Sequence, residues 1–315
     1  MIYGVLSGIT WAIETIILGI ALAMTPFLDG KQAIMLAPFV STFLHDACSA
    51  LWATLFNAVK GNEKNVINAL KTKSGKFVAL AAIIGGPIGM TGYVLTVKYM
   101  GSSIGAIASA IYPAIGAILA FIFLKEKMQW YRWIMLIITL AGVYGLSYSP
   151  DIQVTNFMLG LLGTFMCSFG WGVEAVVLAK CMQDDSVKDE YALQIRQSAS
   201  ALFYGVVILP IIGGWKFTIS LFSANSMSLI GTIALAALFA TISYLFYYKA
   251  IATIGASKAM AINVSYVAWA IIFNIIFFHE TSLLSPMTLL CAVIVIVCGI
   301  FAAADFKEIF NRATN

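Results

Sequence analysis

The chain has 315 residues, of which 61% are hydrophobic and only 10% charged, with a formal net charge of +4 and a mean hydropathy of +0.95. Soluble domains carry about 45–50% apolar and about 25% charged residues, so this composition excludes a soluble enzyme, a disordered protein and a nucleic-acid-binding module. The Lys and Arg residues stand in short blocks between long apolar runs, which is the pattern of a polytopic helical protein whose surroundings are the lipid bilayer.

A helix needs about 20 mostly apolar residues to cross a membrane. That rule predicts ten spans, at approximately 3–24, 33–59, 77–97, 101–124, 131–149, 156–180, 191–212, 227–248, 252–278 and 285–304. The connections are too short to hold a soluble domain. The chain enters its first apolar run without a basic stretch, so its start reads as a span and not as a secretory leader. With the N-terminus inside, the inner segments hold Lys60, Lys64, Lys71, Lys73, Lys76, Lys125, Lys127, Arg132, Lys180, Lys188, Lys249, Lys258, Lys307 and Arg312. The outer side holds only Lys31, Lys98 and Lys216, and Arg196 falls within the membrane region or on the inner side. Both termini are therefore expected in the cytoplasm. The five cysteines form neither a CxxC pair nor a Cys/His cluster, so neither zinc nor a disulfide framework is expected.

The halves of the chain correspond. Trp11-Ala12-Ile13-Glu14 in the first span matches Trp171-Gly172-Val173-Glu174 in the sixth, and Ser49-Ala50-Leu51 matches Ser200-Ala201-Leu202. Tyr93 and Lys98 in the third match Tyr244 and Lys249 in the eighth. Tyr112 with Lys125-Glu126 in the fourth matches Tyr266 with His279-Glu280 in the ninth, at the same spacing. The order is kept throughout. Five spans per unit make the second copy enter the membrane from the opposite side, an inverted repeat of residues 1–149 and 156–305, followed by a tail at 306–315. Transporters use such repeats to exchange inward- and outward-facing shapes around a central site.

Ten spans in a five-plus-five inverted repeat, with a short aromatic-rich fourth span ending in Leu124-Lys125-Glu126, resemble the drug/metabolite transporter superfamily in its EamA-type branch. Leu124-Lys125-Glu126 and His279-Glu280 stand where that family often has a Leu-Gly-Glu-like motif, so the match is loose in wording. The resemblance implies an all-α integral membrane fold of ten helices around a central cavity, lined by the first, third, fourth, sixth, eighth and ninth spans, with the fifth and tenth at the periphery.

The charged residues inside the spans are Glu14, Asp46 beside His45, and Glu174. A charge at the bilayer centre costs about 2.5–3.5 kcal/mol on insertion scales. Glu14 and Glu174 therefore face a ligand, carry a proton, or form hydrogen bonds between helices. Each lies three residues after a Trp and shares a helical face with it. Trp130, Trp133 and Trp215 fit an interfacial belt; Trp11 and Trp171 sit too deep for it. Tyr93, Tyr112, Tyr244, Tyr266 and Trp269 also fall deep within spans. Ring faces attract a cation by about 0.5–2 kcal/mol each, so aromatics beside carboxylates on cavity-lining spans suit an organic cation. An anion or zwitterion would need a buried cation, for which Arg196 is the candidate. His45-Asp46 reads either as a hydrogen-bonded pair between helices or as a proton-coupling site, and Arg196 aligns with His45 across the repeat.

The paired Trp-x-x-Glu and the Tyr-rich spans are similar to the LicB-type choline importers of bacteria. That resemblance implies uptake of a quaternary ammonium substrate such as choline across the bacterial plasma membrane, with protons as a candidate co-substrate; a monovalent cation moving inward gains about 2.3 kcal/mol per 100 mV, so the membrane potential alone can drive it, through a monomer or dimer. It places Trp11, Trp171, Tyr93, Tyr244 and Tyr266 in a cage, with Tyr112 and Trp269 beside it. Glu14 and Glu174 would hold the positive charge or a hydroxyl, and both, with His45 and Asp46, are proton-coupling candidates. An exporter of amino acids or other metabolites on the same fold is the alternative. No HExxH, credible Ser–His arrangement, metal cluster or nucleotide-binding loop occurs, so no catalytic residue, metal or cofactor is expected. Asn263-Val264-Ser265 matches a glycosylation acceptor but lies within a span, and Gly4/Gly8 and Gly85/Gly89 read as close helix contacts. Pro113 is the expected hinge.

Overall fold

The computed structural model describes residues 1–100, 102–147, 154–222, 226–279 and 285–303. Gly101, Glu280, the repeat edges at 149 and 305 and the expected tail at 306–315 lie outside the described residues. The spans are α1 (Ile2–Leu22), α2 (Gly30–Val59), α3 (Lys73–Met100), α4 (Ser102–Leu119, continued by a π-turn over Ala120–Leu124), α5 (Trp130–Ser147), α6 (Phe157–Cys181), α7 (Asp189–Ile211), α8 (Met227–Ile254), α9 (Ala256–Phe278) and α10 (Pro286–Ala303). Nine of them are long and apolar enough among the described residues to cross a membrane, and α4 is the shorter one.

The largest differences from the sequence reading are at the end of α8 and in the connection after α2. α8 runs six residues past its expected end, because the break falls at Gly255, whose φ of +87° suits glycine. The segment between α2 and α3 contains an amphipathic helix, Glu63–Lys71, which buries Val66 and Ala69.

The helices pair in a way that exchange of the two halves preserves. α1 packs on α8 and α9, as α6 packs on α3 and α4; α2 packs on α8, as α7 packs on α3. The exchange returns the pairs α2–α7, α4–α9 and α5–α10 to themselves. α4 and α9 also end alike, with Lys125 (φ 56°) and His279 (φ 53°) in the left-handed region. The end of α4 is tied to the start of α9: the Glu126 carboxylate accepts the Ala256 and Ser257 backbone N–H groups at 2.9 and 3.1 Å and the Ser257 hydroxyl at 2.5 Å. Negative charge at a helix N-terminus is favourable.

Small residues set the closest approaches. A Cβ on Gly92 of α3 would stand 2.6 Å from the Cys167 nitrogen and the Gly163 carbonyl oxygen of α6. Gly92→Ala is therefore expected to destabilise the protein by about 1–3 kcal/mol, the usual cost of overpacking, and a thermal melt in detergent would register it as a lowered midpoint. Gly89 and Gly8 are similarly crowded, by the Trp171 ring and the Ser265 hydroxyl, each at 2.9 Å.

The helices are interrupted at places other than Pro113, which lies within the unbroken Ser102–Leu119 segment. α3 has a π-turn at Ile84–Ile88, where Pro87 supplies no N–H. There the Gly89 N–H reaches Ile84 and Gly86 and bypasses Gly85. The spare Gly85 carbonyl accepts the Trp171 indole N–H at 2.8 Å. α7 repeats the device: a π-turn at Tyr204–Ile208 directs the Leu209 N–H to Tyr204, and the Gly205 carbonyl accepts the Trp215 indole N–H at 2.9 Å. α9 breaks at Val264-Ser265, between Ala256–Asn263 and Tyr266–Phe278. Interruptions of this kind occur where backbone lines a site inside a membrane protein.

Candidate substrate site

α1 and α6 each carry their Trp-x-x-Glu into the interior, leaving Glu14 3% and Glu174 8% exposed. Both carboxylates enter one buried ionic chain. His45 Nε2 lies 3.3 Å from Glu14 Oε1, and His45 Nδ1 lies 3.3 Å from Asp46 Oδ1. Arg196 Nη1 is 3.7 Å from Asp46 Oδ2. Arg196 Nε donates to Glu174 Oε1 at 2.7 Å, and Nη2 donates to Oε2 at 3.4 Å. The two-pronged grip is the geometry in which a guanidinium binds a carboxylate best. Polar neighbours fix the chain in place: Arg196 Nη1 donates to Gln197 Oε1 at 2.7 Å, the Ser200 hydroxyl to Asp46 Oδ2 at 2.6 Å, and Gln197 Nε2 to Ser49 Oγ at 2.8 Å.

The charges can be counted. Both nitrogens of His45 face carboxylate oxygens, and a neutral imidazole has only one N–H. A proton added to Glu14, His45 and Asp46, on the ring or on a carboxyl, would satisfy both contacts, although His45 Nε2 as placed makes no hydrogen bond to Glu14. Three carboxylates, one guanidinium and that proton sum to one net negative charge.

Aromatic rings flank this chain in two sets. Trp11 meets Tyr244 edge-on at 5.0 Å and Tyr266 at 6.5 Å. Trp171 stacks on Tyr93 at 6.4 Å and meets Tyr112 edge-on at 6.0 Å. Each half of the chain supplies the Trp of one set and the two Tyr of the other. The Arg196 guanidinium lies 5.2 Å from the centroid of Tyr244, so the ionic chain and the aromatic set share that ring. The Tyr112 hydroxyl donates to Asn263 Oδ1 at 2.9 Å, and Asn263 Nδ2 donates to the Ser7 hydroxyl at 2.8 Å, which ties α4 and α1 to the last residue before the break in α9.

The structure thus brings together Trp11, Glu14, Tyr244, Tyr266, His45 and Asp46 on one side and Trp171, Glu174, Tyr93 and Tyr112 on the other. Trp269 packs instead on Phe273 at 6.3 Å, with its indole N–H buried and unpartnered among the described residues. Glu174 is not a free anion, since Arg196 takes both of its oxygens. The sequence reading gave Arg196 a position but no partner, used Ser49 and Ser200 only as repeat markers without a role in the site, and missed Gln197 altogether. It set Asn263 aside as an unreachable glycosylation acceptor; a polar residue in the interior of an apolar span was the signal that could have found it.

Comparison with known proteins follows the same lines. Residues 1–148 match the EamA-like transporter family. Protein LicB of Haemophilus influenzae is 27% identical over 310 residues, covering 97% of each chain. A crystal structure of another protein superposes with a TM-score of 0.68 over 96% of each chain at 15% identity, a likeness of fold. With nine described helices long and apolar enough to cross a membrane, the chain is a multi-pass membrane protein whose first 148 residues are similar to the EamA-like transporter family.

Proposed function

We propose that this chain is a secondary transporter that carries a small organic cation, choline above all, into the cytoplasm. The observation that carries the reading is a buried cluster of three carboxylates around one guanidinium, which a proton shared by Glu14, His45 and Asp46 brings to one net negative charge, set between two groups of aromatic rings. A monovalent cation entering there brings the cluster to neutrality, and a quaternary ammonium, which cannot donate hydrogen bonds, is held by ring faces and charge alone. The similarity to LicB-type choline importers points the same way. Residues 1–149 and 156–305 act as the two inverted halves, with 306–315 as a tail, both termini in the cytoplasm and the protein in the bacterial plasma membrane. The proton shared by Glu14, His45 and Asp46 is the candidate for coupling to a pH gradient. An exporter of amino acids is favoured less, because a substrate carboxylate would need a free cation and Arg196 is already gripped by Glu174.

Equilibrium binding of labelled choline to the purified protein tests this reading, with betaine and ethanolamine as competitors. Micromolar binding with poor competition by both is the expected result. Betaine carries a carboxylate that the net negative cluster repels, and ethanolamine lacks the methyl groups that fill a ring-lined space. Absence of binding at millimolar choline would sink the choline assignment and put the exporter first.

A further inference from the structure

We propose that Arg196 is a resident counter-cation that lets the empty carrier return across its cycle. The proposal rests on the cation-import reading above. Arg196 is 4% exposed, and it stands between Asp46 of α2 and Glu174 of α6 while projecting from α7 itself. The charged groups that face it are those two carboxylates, and the ring face of Tyr244 covers the guanidinium. An ammonium substrate would use the same kinds of contact, carboxylate and ring face. In the absence of substrate, Arg196 fills that role with a cation tethered to the chain. Without it the empty cluster would carry two net negative charges, and buried charge without a partner opposes any movement that keeps it inside the membrane.

Two transport modes separate this role from a structural one. Exchange of labelled for unlabelled choline requires only the loaded carrier to reorient. Net uptake also requires the empty carrier to return. In proteoliposomes, Arg196→Gln is expected to lower net uptake at least ~10-fold more than exchange, because its empty form carries two net negative charges while its loaded form carries one, the charge with which the wild-type empty carrier returns. Glu174→Gln leaves the empty cluster neutral, so choline affinity is expected to fall by at least ~10-fold. The double variant Glu174→Gln/Arg196→Gln restores one net negative charge, so affinity and the ratio of exchange to net uptake are both expected back near wild type. This comparison of single and double Glu174 variants does not depend on Arg196→Gln folding alone. Equal loss of exchange and net uptake in folded Arg196→Gln overturns the proposal, as does unimpaired net uptake, or a double variant that binds choline no better than Glu174→Gln. Wild-type protein that neither binds nor moves choline defeats the cation-import reading instead.

Discussion

Trp171→Ala is expected to weaken choline binding by on the order of 100-fold, equivalent to about 2.7 kcal/mol. One ring face supplies about 0.5–2 kcal/mol to a desolvated cation, so the lost ring alone does not reach that figure. The remainder comes from what Trp171 holds. Its indole N–H occupies the spare Gly85 carbonyl of the α3 π-turn, and its ring is packed against Tyr93 and Tyr112. Removing it frees two further cage rings and a backbone carbonyl. Trp171→Phe keeps an aromatic face and loses only the N–H, so a loss of about 10-fold or less is expected. Trp11→Ala should parallel Trp171→Ala, through Tyr244 and Tyr266 of the other set. Trp130→Ala, at a ring 74% exposed, is the control and should bind as wild type. Isothermal titration with choline gives all four constants. A Trp171→Ala protein that binds within threefold of wild type would show that the two aromatic sets do not form the cage.

The parts of this architecture that were legible in the sequence are those carried by periodic or repeated signals. Apolar runs of span length gave ten helices with edges close to those observed. The ordered matches Trp11/Trp171, Tyr93/Tyr244 and Tyr112/Tyr266 anticipated that these rings belong to related places, and the structure seats them in two equivalent sets. What stayed hidden depends on contacts between distant segments. Arg196 lies 22 residues from Glu174 and 150 from Asp46, and no local spacing rule relates such positions. The π-turns were equally invisible, because an insertion of this kind leaves an apolar run apolar; only the glycine-proline run Gly85-Gly86-Pro87 hinted at one of them. Pro113 drew attention as a hinge for a sound reason, since proline removes a helix hydrogen bond. The observed breaks nevertheless follow glycine carbonyls capped by indoles and, in α9, Asn263 bridging Tyr112 and Ser7.

Inside-negative potential is expected to drive choline accumulation to about 50-fold per 100 mV, the equilibrium for a monovalent cation gaining about 2.3 kcal/mol. The resident charges return to their starting places in each cycle, so only the charge of the substrate enters that balance. They decide instead which step feels the field. The loaded cluster is neutral and the empty one carries a net negative charge, so the potential acts on the empty carrier and pushes it back toward the outside-facing shape. Net uptake should therefore accelerate with potential, while choline exchange, which cycles only the neutral form, should be indifferent to it. Potassium-loaded proteoliposomes with valinomycin set the potential, and both modes are read on the same preparation. Exchange that speeds up with potential would mean that the loaded form carries charge and that the count over Glu14, His45, Asp46, Glu174 and Arg196 is wrong. The proton shared by the first three of these groups gives a second readout. If it accompanies choline, an acid-outside gradient at zero potential drives uptake in the wild type and fails to do so in Glu14→Gln, where one of its three holders is gone. Uptake indifferent to that gradient in the wild type assigns the whole driving force to the membrane potential and leaves the shared proton as a fixed part of the site.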